Sequence, residues 1–125
     1  LVSRYQYQSN YLGFPVERTD DWYFDADGEG VIETLAKGKE MPCWQMVGLS
    51  YWTAADGARL ARDLPEVFER DDARQIFWDD VAIVRRPGEY SVHVRRCSPD
   101  DILEIDDFDD LRRIDPAYVV RHKDA

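Results

Sequence analysis

Histidine, cysteine and methionine are scarce in this chain, with two of each in 125 residues. That scarcity excludes several chemistries. Cys43 and Cys97 are far apart and fit no zinc-ligand spacing, so they read as reduced thiols of a cytoplasmic protein rather than a metal knuckle or a disulfide framework. His93 lies on an alternating stretch between Val92 and Val94, and His122 lies in the tail. Neither has a serine, cysteine or acid arranged beside it for nucleophilic catalysis. Positive charge is also short, with 16 Lys and Arg against 26 Asp and Glu and a net charge of -10. A surface of that sign repels phosphate backbones and argues against nucleic acid as a partner. No apolar run approaches the ~20 residues of a membrane span, which argues against membrane insertion. The stretch "LVSRYQYQSN" has no apolar signal core. A phosphate-cradling glycine loop is missing too, because Gly28 and Gly30 sit in hairpin sequence rather than between a strand and a helix.

What the chain does have is core-forming material. It is 44% hydrophobic, with seven Tyr, five Phe and four Trp. A chain of this length buries roughly two-thirds of its unfolded surface, enough for one core, so residues 1-125 read as a single domain. "SNYLGFPVE" has strand content, with Pro15 placing it near an edge or bulge. "DDWYFDADGEGVIETL" reads as a hairpin, its arms Trp22 to Phe24 and Val31 to Leu35. "CWQMVGLSYW" is a nearly continuous apolar run, suited to a strand covered on both faces. Thr53 reads as a helix N-cap with Asp56 three residues on, and Leu60, Leu64, Val67 and Phe68 follow at helical spacing. A helix is therefore expected over residues 54-69, kinked or divided at Pro65. "DDARQIFWDDVAIV" reads as a second helix, "RRPGE" as a turn, "YSVHVRR" as a strand and "SPDD" as a turn. "ILEID" reads as the last strand and "DFDDLRRI" as a helix with acids at its N-terminus. The tail is expected to be loose or docked by Tyr118. The layout is mixed α/β, with hairpins and flanking helices. It reads as part of a parallel-sheet fold rather than a complete one.

Three features carry candidate chemistry. "DADGEGVIE" imitates a calcium loop, with Asp25, Asp27, Glu29, Gly30 and Ile32 at suitable positions. Position 12 is Ala36, however, so the bidentate ligand is missing, and a polar hairpin turn is the better reading. Trp22 follows Asp20 and Asp21, Trp78 precedes Asp79 and Asp80, and Trp52 ends a strand. A lone Trp is usually core. Aromatic faces with a carboxylate nearby are also what a quaternary ammonium requires, since it has no N–H to donate and must be held by cation–π and Coulomb attraction. Glu104 and Asp106, two apart on the expected strand, would share a face, with Ile105 turned into the core. Paired carboxylates at a strand end suit a Mg²⁺ bridging nucleotide phosphates, although solvated acids followed by an Asp N-cap are the commoner meaning of such spacing.

"GLSYWTAADGARL", "FWDDVAI" and "VHVRRCSPDDILEIDDFDDLRRID", in that order, resemble the C-terminal half of bacterial CTP:phosphocholine cytidylyltransferases, of the sugar-phosphate nucleotidyltransferase superfamily. The resemblance implies the C-terminal portion of a Rossmann-like nucleotidyltransferase fold, with the nucleotide-binding half outside these residues, and a fragment inactive alone. It implies transfer of CMP from CTP to phosphocholine with release of pyrophosphate, to decorate a surface glycan. Asp106 would be the Mg²⁺ ligand, with Glu104 beside it near the substrate's cationic head. Asp79 or Asp80 would face the choline ammonium, Trp22 and Trp78 would wall it, and Tyr51 or Trp52 would be a further wall. An open half-sheet edge would be free to pair in a homodimer. Two alternatives stand beside this reading: a sugar-phosphate nucleotidyltransferase fragment, whose site would use polar donors and acceptors, and a non-catalytic acidic interaction module. The module would leave Glu104 and Asp106 scattered in solvent and Trp22 and Trp78 as separate core residues.

Overall fold

A computed structural model describes residues 7–70 and 73–119. Five strands form one mixed sheet: β1 (Asn10–Val16), β2 (Thr19–Ala26), β3 (Ile32–Lys39), β4 (Cys43–Tyr51) and β5 (His93–Arg96), in the order β3-β2-β4-β1-β5. β5 runs parallel to β1, and every other pairing is antiparallel. The β2–β3 hairpin turns where the sequence places it. Asp27 Oδ1 accepts from the N–H groups of Glu29 and Val31, and Gly30 takes φ +85°, so this loop is a hydrogen-bonded turn. Gly13 on β1 is required by close approach. A Cβ there would lie 2.8 Å from the Phe24 ring and 3.0 Å from the Gln45 carbonyl oxygen.

Helix α1 (Ala54–Phe68) starts as its sequence dictates. The Thr53 hydroxyl accepts from Asp56 N–H at 3.2 Å, and the Asp56 carboxylate receives the Ser9 hydroxyl at 2.5 Å. The helix runs through Pro65 as one continuous element, so the expected division does not occur. Pro65 is three residues from the end, where its carbonyl still accepts the closing N–H of Glu69. Leu60 and Val67 of α1 pack with Tyr11, Phe24, Ile32, Leu35, Val81, Ala82, Ile83, Tyr90 and Val92 into one core. Asp63 is fully buried in α1 yet satisfied. It accepts from Arg62 Nε at 2.8 Å and from the Tyr90 hydroxyl at 2.7 Å.

Three further expectations are corrected. The stretch read as a second helix is a 3₁₀ turn (Ala73–Gln75), an irregular link and one wide turn (Val81–Arg85) with π-type bonding. Asp80 breaks it, because its carboxylate accepts the Phe77 N–H at 2.9 Å, the local competition that makes aspartate a cap rather than a helix interior residue. β4 is not covered on both faces. Leu49 is half-exposed, and β4 carries a bulge opposite β1 between Ser50 and Met46, with Gly48 at φ +43°. "ILEID" joins no strand among the described residues. Leu103 and Ile105 are exposed, so Ile105 does not enter the core, and the alternation argument for Glu104 and Asp106 has no sheet to act on. A three-residue apolar run split by acids has too little to bury to hold a sheet edge by itself. The "SPDD" turn and α2 (Phe108–Ile114) do form, each with a reciprocal capping box, from Ser98 with Asp101 and from Asp107 with Asp110. α2 buries none of its residues. Tyr118 is exposed rather than docked, and His122 lies outside the described residues.

Candidate functional site

Sheet order decides what meets. β2 lies beside β4, and this brings Trp22 and Met46 to one side of the sheet, below the link that carries Phe77, Trp78 and Asp79. These five residues and Leu35 line a cavity of about 120 Å³. Its walls are aromatic edges and faces. Trp22 meets Phe77 edge-on, with centroids 5.3 Å apart at 85°. Trp78, 44% exposed, is braced from behind by Trp52 at 5.7 Å and 64°. Trp52 in turn packs edge-on against Tyr11 and Tyr90 and donates from Nε1 to the Ser50 hydroxyl at 3.0 Å.

Asp79 is the polar group of this cavity, and it is only 6% exposed. Its Oδ2 accepts from the Tyr11 phenol at 2.8 Å, across 68 residues of sequence. Burial first, then the hydrogen bond to Asp79 and its charge, push the Tyr11 phenol far above its usual range, so it stays a donor. Among the described residues no Lys, Arg or His forms an ion pair with Asp79. A carboxylate this deep, held by one neutral donor, leaves its charge uncompensated, and a cation entering the cavity would supply what is missing.

A second cavity of about 470 Å³ shares Trp22 and Met46 with the first and extends past the β4 bulge. Asp21 on one side and Glu104 on the other line it, with Phe14, Gly48 and Leu103 between. Trp22 is thus the common wall of two adjoining spaces, one aromatic and one acidic.

Of the residues singled out in the sequence, Trp22, Trp78 and Asp79 meet at the smaller cavity and Glu104 reaches the larger. Asp80 turns back to cap Phe77, so of the neighbouring acids it is Asp79 that faces the space. Trp52 supports Trp78 without lining either cavity, and neither does Tyr51, at the end of β4 beside Asn10. Asp106 is exposed and lines neither; its N–H donates to the Asp110 carboxylate at 3.1 Å. The sequence reading missed Phe77, Met46, Leu35 and Tyr11. Phe77 stands next to Trp78 in the same motif and was within reach of it. Nothing local marks Tyr11.

Among the described residues no group of three or more His, Cys, Asp or Glu is placed to hold a metal ion. The donors present still fit Mg²⁺ in kind. Glu104 and Asp106 are exposed, hard oxygen donors, and Mg²⁺ commonly takes one or two carboxylates and completes its shell with water and substrate phosphate. Cys43 and Cys97 are both free. No helix among the described residues is long and apolar enough to cross a membrane.

No family model matches the chain. Over 101 residues, 81% of its length, it is 36% identical to the 2-aminoethylphosphonate cytidylyltransferase of Lancefieldella rimae, of which it covers 40%. Its fold superposes on a CTP:phosphocholine cytidylyltransferase from Streptococcus pneumoniae with a TM-score of 0.66 and 18% identity, over 88% of this chain and 48% of that one. The chain therefore spans less than half the length of either protein.

Proposed function

We propose that this chain, homologous to part of a cytidylyltransferase and folded like part of one, forms the acceptor-binding side of an enzyme that transfers CMP from CTP to phosphocholine. The observation that carries the reading is the meeting of Trp22, Phe77 and Trp78 in one small cavity with the buried carboxylate of Asp79, with which no Lys, Arg or His among the described residues pairs. A trimethylammonium head is attracted by ring faces and by a carboxylate at close range, and it asks nothing of the walls in hydrogen bonds. With the head seated there, the rest of the acceptor would extend past Trp22 into the larger cavity.

In the reaction an acceptor phosphate oxygen attacks the α-phosphorus of CTP. The new P–O bond forms as the bond to the bridging oxygen breaks, and pyrophosphate leaves. Such transfers need positioning and charge stabilisation more than covalent help. Asp79 and the three aromatic residues bind and orient the acceptor. Trp52 holds Trp78 in place, and Phe77 and Trp78 shield the head from water. Asp106 would hold Mg²⁺, which when bound neutralises phosphate charge, and Glu104 would line the acceptor's path at the larger cavity. The nucleotide-reading residues belong to the part of the enzyme that the chain does not span.

A second reading, 2-aminoethylphosphonate as acceptor, is favoured by the relative of that name. A primary ammonium carries three N–H donors, and the cavity offers Asp79 while its other walls are apolar or aromatic. That composition supports the quaternary head over the primary one. It also counts against a sugar, whose hydroxyls need a ring of polar partners. The acidic-module alternative expected Glu104 and Asp106 in solvent, where both are exposed, and Trp22 and Trp78 as separate core residues, whereas these two line one space; that meeting is what favours the acceptor site. The test is CTP-dependent pyrophosphate release by the intact enzyme with phosphocholine, phosphoethanolamine, 2-aminoethylphosphonate and glucose-1-phosphate. The highest kcat/KM is expected for phosphocholine; a higher value for 2-aminoethylphosphonate would move the assignment to the second reading.

A further inference from the structure

We infer that Tyr11 is a positioning residue for the cationic head of the acceptor, acting through Asp79; this rests on the reading of the aromatic cavity given above. Asp79 is carried by an irregular link whose backbone is tied, the Asp79 carbonyl accepting from Ile83 N–H at 3.3 Å, but these bonds leave its carboxylate unfixed. What holds its carboxylate is the phenol of Tyr11, at 2.8 Å, reaching from an interior strand of the sheet. Tyr11 is itself immobile. It is 2% exposed, tilted against Phe24 at 5.8 Å and perpendicular to Trp52 at 6.4 Å. The same Trp52 braces Trp78. Buried Tyr11 and partly buried Trp52, packed against each other, therefore set the carboxylate and a ring wall of the cavity.

The choice of donor matters. A Lys or Arg at this place would hold Asp79 equally well but would cancel its charge. A phenol stabilises the anion and leaves the charge available to a ligand. The groups facing the pair are Ser50, whose hydroxyl partly offsets the rise of the phenol, and Asp80, whose charge adds to it. Neither is cationic. With Oδ2 tied to Tyr11, the carboxylate has one oxygen left for a cation in the cavity.

The experiment is steady-state kinetics of the intact enzyme carrying Tyr11→Phe, with Asp79→Asn as the reference. In Tyr11→Phe, the KM for phosphocholine should rise about tenfold, the order expected from a lost hydrogen bond to a charged group, with the KM for CTP unchanged. A merely structural role would lower stability and raise the KM for both substrates alike. Unchanged phosphocholine kinetics in Tyr11→Phe, with a raised KM in Asp79→Asn, would overturn the role of Tyr11 and leave the cavity assignment standing. No effect from Asp79→Asn would remove the cavity assignment and this inference with it. If Tyr11→Phe does not fold, 3-fluorotyrosine at position 11 keeps the ring and strengthens the donor. It should change the KM for phosphocholine while leaving the KM for CTP as it was, and an unchanged KM for phosphocholine would overturn the inference.

Discussion

Replacing Trp78 by alanine should weaken acceptor binding selectively, and the structure sets the size of the effect. Trp78 forms one wall of the cavity that holds Asp79 and is 44% exposed, so its ring contributes more to the opening than to the core. A cation over an indole face is worth about 0.5–2 kcal/mol depending on desolvation. At 1.4 kcal/mol per factor of ten, the KM for phosphocholine should rise roughly 2- to 30-fold. The edge contact with Trp52, 5.7 Å between centroids, is lost as well. That costs the fold about 0.5–1.5 kcal/mol, with little further burial to lose at a half-exposed position. Stability and binding are separated by measuring the KM for CTP in the same variant, where no change is expected. Trp44→Ala is the control. Trp44 packs against the core from a different depression, beside Cys43, and its loss should lower stability without altering the ratio of the two KM values. Equal rises in both KM values for Trp78→Ala would refute the assignment of this ring to the acceptor.

Other consequences are open to direct test. Gly13→Ala should cost about 1–3 kcal/mol in urea denaturation, because the new methyl meets the Phe24 ring at 2.8 Å and the Gln45 carbonyl at 3.0 Å, and the second of these is backbone. The Arg62 hydrogen bond holds the Asp63 carboxyl below its usual range, so its contribution to stability is full above the unfolded value near 3.9 and is lost as pH falls further. Asp63→Asn should therefore flatten the acid limb of a stability–pH curve below about pH 4. Tyr11 and Tyr90 are both raised, chiefly by burial, so their contribution is full below about pH 10 and is lost as pH rises beyond it. In an absorbance titration of tyrosine these two phenols should ionise only as the fold is lost. Asp106→Asn should abolish turnover of the intact enzyme while circular dichroism stays unchanged, as suits an exposed residue outside the core.

Much of the scaffold is legible in local sequence. The hairpin between β2 and β3, the Thr53 cap of α1 and the capped α2 all rest on contacts within a few residues, and sequence specifies such contacts well. The stretch at 71–84 misled because its apolar spacing is helical while the Asp80 carboxylate turns back to accept the Phe77 N–H. "ILEID" misled because strand composition does not supply a strand partner. The candidate site was half legible. Tryptophan beside aspartate marked the residue types, but Trp22 and Trp78 are 56 positions apart, and what unites them is the packing of the link that carries Trp78 over the part of the sheet that carries Trp22 and Met46. Tyr11 had no local signal, since its role depends on a contact across 68 residues and on a parallel β1–β5 pairing that sets its burial.

The measurement that bears most directly on the central claim is fluorescence of the intact enzyme titrated with phosphocholine and with 2-aminoethylphosphonate, in the wild type and in Asp79→Asn. Saturable quenching by phosphocholine at lower concentration than by 2-aminoethylphosphonate, lost in Asp79→Asn, is what an aromatic, carboxylate-based ammonium site predicts. Binding of phosphocholine that survives Asp79→Asn unchanged would contradict it.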